Sequence, residues 1–164
     1  RYVKESTIKQ IANDRPLATT VICHGTRAAA EQEYFKKYLP WATILGTEIS
    51  DNATEYPMTI QHDFNFSRPE WIGKYDVLYS NAIDHSIDPK ATLTTWSEQL
   101  SQAGRMYIEY SSNQSIPGGN VNDPLDATDE EIVGLLTDVG MIIIGQITED
   151  VKGGGRVFIC EKGK

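Results

Sequence analysis

Short apolar runs alternate with amphipathic stretches along most of the chain, and this alternation is the first guide to its fold. Ala18 to Cys23 is a β-branched apolar run suited to a strand covered on both faces. The stretch after it, Ala28 to Tyr38, sets Ala30, Tyr34, Phe35 and Tyr38 three and four positions apart, the spacing of one helix face, before Pro40 ends it. Thr43 to Glu48, Met58 to His62, Lys74 to Ser80 and Arg105 to Tyr110 read as four further strands. Asp88-Pro89 opens a helix with Leu93, Trp96 and Leu100 on one face, because an Asp N-cap accepts an orphan amide and proline at the first position forfeits no bond. Gly104 then resets the chain ahead of the fifth strand. Thr128 to Glu131 is a capping box that starts a helix carrying Ile132, Leu135, Leu136 and Val139, and Gly140 terminates it. Met141 to Ile147 and Arg156 to Cys160 are joined by too few residues for a crossover helix, which predicts an antiparallel hairpin. A weaker pattern from Tyr2 to Asn13 predicts a short leading helix closed by Pro16.

Strand and helix alternate through five strands and give way to a helix and a hairpin. That order predicts an α/β fold: a mostly parallel seven-stranded sheet with helices on both faces and an antiparallel strand from the hairpin. Ligands of such sheets lie at the carboxyl ends of the strands, near the point where strand order reverses. The run Val21 to Arg27 is the most informative segment on that view. An apolar strand turning on Gly25 into a helix brings backbone N–H groups and a helix N-terminus beside a ligand. Ser111 to Ala127 is rich in Ser, Asn, Gly, Pro and Asp without periodicity, and a loop of that length in a compact chain is a lid candidate.

Composition narrows the partners. The 164 residues carry a formal net charge of −8, which repels a phosphate backbone, and no stretch clusters Lys or Arg with aromatics. A nucleic-acid partner is disfavoured on that ground. No apolar run approaches the ~20 residues that span a bilayer, and no signal-peptide pattern opens the chain, so a soluble, cytoplasmic chain without a membrane partner is expected. Cys23 and Cys160 lie in apolar runs without metal-ligand spacing and read as buried thiols of a reducing compartment. One domain over 1–164 is expected, with a leading helix and linker in 1–17 and a cofactor-binding core in 18–161. The chain begins at Arg1, which suggests a trimmed terminus or a domain excised from a longer polypeptide, there fused to other catalytic domains.

Over residues 18 to 161 the pattern resembles a class I S-adenosylmethionine-dependent methyltransferase, a Rossmann-like fold. The first strand with Gly25 resembles that family's glycine-rich first motif, Glu48 its acidic residue ending the second strand, and Asp63 its acidic residue after the third. Tyr75 to Asn81 with Asp84 to Pro89 behind it resembles the fourth-strand motif. The departure is in the first motif, where Cys23 replaces the acidic residue and Arg27 and Ala29 stand at the second and third glycine positions. The resemblance implies that the cofactor S-adenosyl-L-methionine rests on His24, Gly25, Thr26, Arg27, Glu48, Ile49, Asp63, Phe64, Asn81 and Ala82. Within it, Glu48 is expected to accept the ribose hydroxyls and Asp63 either to accept from the adenine amino group or to hold a turn ahead of Asn65. Arg27 either pairs with the cofactor's carboxylate, replacing the missing glycine contacts, or faces solvent from the first helical turn.

The acceptor side is expected just beyond the fourth strand, at Asp84, His85 and Asp88. Methyl transfer to a hydroxyl needs a positioned base, and the unperturbed pKa of His85 suits that task. Against these roles, Asp88 is explained as an N-cap, Asp84 by loop amides, and His85 stands where the resembled family often carries a non-catalytic histidine; His24 is an alternative base, or packs beneath the cofactor. Asp84, His85, Asp88 and Glu109 permit a divalent metal without demanding one. Asp76 interrupts an apolar strand at the end away from the ligand and reads as structural. The favoured function is methyl transfer to a small polar acceptor, a hydroxyl of a sugar or glycan before others. The alternatives are a nicotinamide-dependent oxidoreductase, which lacks its fuller glycine fingerprint here, and a catalytically inactive cofactor-binding module.

Overall fold

A computed structural model describes residues 3–111 and 127–163. In chain order the elements are α1 (Glu5–Asp14), β1 (Thr20–His24), α2 (Ala30–Tyr38), β2 (Thr43–Glu48), β3 (Thr59–Gln61), β4 (Tyr75–Ser80), α3 (Pro89–Ser97), β5 (Leu100–Tyr110), α4 (Asp129–Asp138), β6 (Met141–Ile147) and β7 (Arg156–Lys162). The seven strands form one sheet in the order β3-β2-β1-β4-β5-β7-β6. Pairs β1–β2, β1–β4, β2–β3 and β4–β5 are parallel, and β7 runs antiparallel to both β5 and β6. The expected architecture is met, and the strand order reverses between β1 and β4.

The two-residue period of a strand splits the core into two layers. Val21, Cys23, Val77, Tyr79 and Tyr107 pack on one face with Ile8 and Ile11 of α1 and Phe35 of α2. Ile22, Leu78, Met106 and Ile108 pack on the other with Leu93 and Trp96 of α3 and Ile132 and Leu136 of α4. Cys23 and Cys160 are free, buried and on opposite faces. No helix among the described residues is long and apolar enough to cross a membrane.

Helix starts follow local chemistry. The Asp88 carboxylate accepts the Ala91 amide at 3.2 Å with Pro89 in the first turn, and the Thr128 capping box is made in both directions. α2 has no such cap, and its N-cap residue Ala29 is left-handed at φ 67°. Asp76 is structural as expected, accepting from the Thr19 amide and from the hydroxyls of Thr19 and Ser101.

One boundary differs from the sequence reading. The α3 helix stops at Ser97, and Leu100 belongs to β5, where it pairs with Tyr75. Gly104 lies inside this strand beside a shift in register between Tyr75 and Val77. A Cβ there would stand 2.5 Å from the Tyr75 carbonyl oxygen, so the glycine admits a close strand approach and does not end an element. The lid candidate falls outside the described residues except at its roots: the Tyr110 hydroxyl donates to the Ala127 carbonyl at 2.8 Å and accepts from its amide at 3.1 Å.

Candidate functional site

The bend between β1 and α2 is a run of left-handed backbone. Gly25 (φ 74°), Arg27 (φ 46°) and Ala29 (φ 67°) all have positive φ, a region that costs an L side chain about 1–2 kcal/mol. These are the three positions that the first-motif resemblance assigns to glycine. Two of the three carry side chains, at Arg27 and Ala29. A Cβ on Gly25 would stand 2.7 Å from the Ala82 Cβ and 3.3 Å from the Phe64 ring, so close approach also requires glycine there.

The bend is latched to the end of β2. Gly25 and Thr26 donate their amides to the Thr47 carbonyl at 2.9 and 3.0 Å, and the Arg27 amide donates to Glu48 Oε1 at 2.7 Å. The amides expected to face a ligand face β2 instead. Glu48 Oε2 accepts from the Ser50 amide at 3.1 Å and the Ser50 hydroxyl at 2.6 Å. Burial pushes the Glu48 carboxyl up, but the bonds from Ser50 and from the Arg27 amide outweigh it and hold the pKa below the ordinary value. The carboxylate is ionised and fixed in direction.

A cavity of about 820 Å³ opens over this latch. Gly25, Arg27 and Ala28 form its floor, and Thr47, Glu48, Ile49, Ser50, Asn52 and Tyr56 line the β2 side. His62, Asp63, Phe64 and Asn65 follow β3, and Ala82 and His85 follow β4. Gly25, Arg27, Glu48, Ile49, Asp63, Phe64, Ala82 and His85 of the expected site are thus brought together, at the reversal of strand order. His24, Thr26, Asn81, Asp84 and Asp88 do not line the cavity.

His24 is part of the core. Its ring stacks on Trp96 at 4.9 Å and 13°, and both nitrogens are engaged, Nδ1 with Thr47 Oγ1 at 2.9 Å and Nε2 with Gln99 Oε1 at 2.7 Å. Gln99 in turn donates Nε2 to Ser67 Oγ, which makes Gln99 Oε1 an acceptor and places the His24 proton on Nε2. Burial lowers the His24 pKa to about 4, so the ring is neutral and sealed from any acceptor. Packing beneath the site, not base catalysis, is its role. Thr26 is buried as well and accepts from Gln32 Nε2 at 2.8 Å.

Beyond β4 the residues separate. His85 is exposed on the cavity wall, with Nε2 4.0 Å from Oδ1 of the buried Asp84, beyond hydrogen-bond length. Asp88 is the α3 cap. Asp63 Oδ1 accepts the amide and side chain of Asn65 at 2.9 and 2.8 Å, the turn role that competed with adenine recognition. Asn65 Oδ1 then accepts from Thr92, whose hydroxyl lies 2.8 Å from Ser86 Oγ, tying the loop after β3 to the loop after β4. Glu109 is buried with the Tyr79 hydroxyl at 2.7 Å. The four residues considered for a divalent ion do not converge, and among the described residues no group of three His, Cys, Asp or Glu side chains has metal-binding geometry.

Sequence reasoning missed two features. Ala28, Thr47, Ser50, Asn52, Tyr56, His62 and Asn65 also line the cavity, and the signal in the chain was the lone aromatic within the polar stretch 50–57. Glu31, in the first turn of α2, is buried, and burial with the neighbouring charges of Glu109 and Glu48 pushes its carboxyl up to about 8. A glutamate in a helical first turn reads as a solvated charge, and only the tertiary packing reveals otherwise.

No protein-family model and no curated protein sequence matches the chain. Its fold does match solved structures. The 1,6-didemethyltoxoflavin-N1-methyltransferase of Burkholderia thailandensis, solved with 1,6-didemethyltoxoflavin and S-adenosylhomocysteine, superposes at TM-score 0.77 with 12% identity over 98% of this chain and 78% of that one. The mitomycin 7-O-methyltransferase MmcR superposes at TM-score 0.76 with 14% identity over 97% of this chain, which spans about half (54%) of that one. The N-terminal domain of EvdMO1, crystallised in the presence of S-adenosylhomocysteine and D-fucose, gives 0.69 with 14% identity over 98% of this chain and 82% of that one. The fold is that of class I S-adenosylmethionine-dependent methyltransferases.

Proposed function

We propose that this chain binds S-adenosyl-L-methionine in the cavity over the β1–β2 latch and transfers its methyl group to a small polar acceptor, a sugar or glycan hydroxyl before others. The observation that carries the reading is the ionised Glu48 carboxylate, held at the end of β2 on the wall of a cavity at the reversal of strand order. A carboxylate in that position accepts the paired hydroxyls of a ribose. Ile49, an exposed isoleucine, and Phe64 both line the cavity and offer apolar surface to a flat base. With Oδ1 of Asp63 holding its turn, Oδ2 is the oxygen for the adenine amino group. Arg27 lies on the cavity floor with its guanidinium exposed, placed to pair with the amino-acid carboxylate of the cofactor. The left-handed path at Arg27 and Ala29 supports a working first motif despite its altered sequence.

The cofactor, when bound, supplies a methyl group on a positively charged sulfur. His85 lines the cavity after β4, which supports it as the base that takes the proton of an acceptor hydroxyl. It is solvent-reachable, unlike His24, and the loop that carries it is braced through Ser86 and Thr92 to Asn65. Bracing of this kind matters because in-line displacement depends on orientation as much as on basicity.

The neighbours do not decide the acceptor atom, since one is an N-methyltransferase and another an O-methyltransferase. Net charge −8 disfavours nucleic acid, and a neighbour crystallised in the presence of D-fucose supports a sugar. The experiment is incubation with isotopically labelled methyl donor and a panel of sugars, nucleosides, peptides and amines. Label on a sugar hydroxyl is the expected result. Label on another class alone would replace the acceptor, and none on any class would leave the chain a binding module.

A further inference from the structure

We infer that Ser50 is an internal competitor at the diol-binding carboxylate: its hydroxyl occupies a lone pair of Glu48 that a ribose hydroxyl takes, and ligand entry turns it out to water. The inference rests on the reading of Glu48 as the ribose acceptor and deepens it.

A carboxylate offers about four lone-pair directions. In Glu48, Oε1 takes the Arg27 amide at 2.7 Å, and Oε2 takes both the amide and the hydroxyl of Ser50 at 3.1 and 2.6 Å. Three of the four are used by the chain itself. A ribose presents two hydroxyls, so one finds an open direction on Oε1 and the other meets an oxygen already engaged. Of the three donors only one can yield. The Arg27 amide is held by the latch of the bend onto β2, and the Ser50 amide by the chain path after β2. The Ser50 hydroxyl hangs on a single side-chain torsion of an exposed residue that lines the same cavity. Rotating it exposes it to water at little cost.

The arrangement has two consequences. Without ligand, a charge-assisted bond from Ser50 keeps the carboxylate satisfied and aimed. With ligand, that bond must be exchanged, so the affinity observed is reduced by the fraction of time the hydroxyl stands aside. Losing one competing hydrogen bond is worth roughly three- to tenfold in affinity.

Calorimetric titration with S-adenosylhomocysteine and with its 2′-deoxy and 3′-deoxy analogues tests this on the wild type, Ser50→Ala, Ser50→Thr and Glu48→Ala. Ser50→Ala should bind S-adenosylhomocysteine about three- to tenfold tighter, and Ser50→Thr, which keeps the hydroxyl, should bind like the wild type. One of the two deoxy analogues should lose little in the wild type, where the serine stays in place, and markedly more in Ser50→Ala. Equal or weaker binding by Ser50→Ala, with Glu48→Ala still weakened, would overturn the competitor role alone and make Ser50 a support for the carboxylate. Unchanged affinity in Glu48→Ala would instead remove the ribose reading and this inference with it.

Discussion

The ends of β1 and β2 and the ends of β4 and β5 share one rim of the sheet, yet they are built by different means. At β1 and β2 the main chain does the work: three amides of the bend bind the Thr47 carbonyl and the Glu48 carboxylate, and the path holds through three left-handed residues. At β4 and β5 the features are side chains on a short turn, with His85 exposed and Asp84 buried at 4.0 Å. A cradle of main-chain bonds is insensitive to side-chain replacement, whereas a site of side chains changes whenever one of them does. On the proposed function, the first region is a general cradle and the second is where acceptor chemistry is set.

Variants can break or sharpen that division. The largest effect is expected at His85. Replacing it with alanine should lower turnover by roughly 10²–10⁴-fold, the usual worth of a positioned base, while S-adenosylhomocysteine affinity stays near that of the wild type. Steady-state kinetics beside calorimetry would read both, and a fall in affinity with unchanged turnover would move His85 to the cradle side.

Next comes Glu31, buried in the first turn of α2. Burial, reinforced by Glu109 and Glu48, raises its folded pKa to about 8 from the ordinary 4.5. The folded state then binds a proton that the unfolded chain has released between those two values, so stability falls as pH rises from about 4.5 to 8 and levels off above. Glu31→Gln should remove that slope and raise stability at pH 8 by roughly 2–4 kcal/mol. Denaturant melts across this range would show it, and an unchanged slope would mean that Glu31 is solvated.

A smaller effect is expected at Ala29. Its left-handed φ of 67° is one that glycine adopts freely. Ala29→Gly should leave cofactor affinity intact and stabilise the fold by about 0.5–1 kcal/mol, the relieved strain outweighing the added freedom of the unfolded chain. Destabilisation in a thermal melt would mean the strain is already absorbed elsewhere.

These variants also bear on how much the sequence disclosed. The mostly parallel sheet with its closing hairpin, the α3 and α4 caps and eight of the residues gathered at the cavity were legible because continuous apolar strands, Asp-Pro and Thr-Asp-Glu-Glu are local signals. The start of β5 was not, because Ser101-Gln102-Ala103-Gly104 looks like a loop and only the pairing of Leu100 with Tyr75 of β4 marks it as strand. His24 was drawn into the site by its neighbours in the motif. Strand alternation turns it to the same face as Ile22, onto Trp96. The burial of Glu31 depends on contacts between elements and leaves no mark in the chain, whereas the double engagement of Ser50 with Glu48, two residues away, is a local turn that the sequence reading passed over.

The central claim is that the Glu48 carboxylate grips an adenosyl ligand, and calorimetric titration of the wild type and Glu48→Ala with S-adenosylhomocysteine, alongside NAD, measures it most directly. The account predicts saturable one-site binding of S-adenosylhomocysteine, none of NAD, and a loss of about 1–3 kcal/mol in the variant. Unchanged affinity in Glu48→Ala, or binding of NAD in place of S-adenosylhomocysteine, would contradict it.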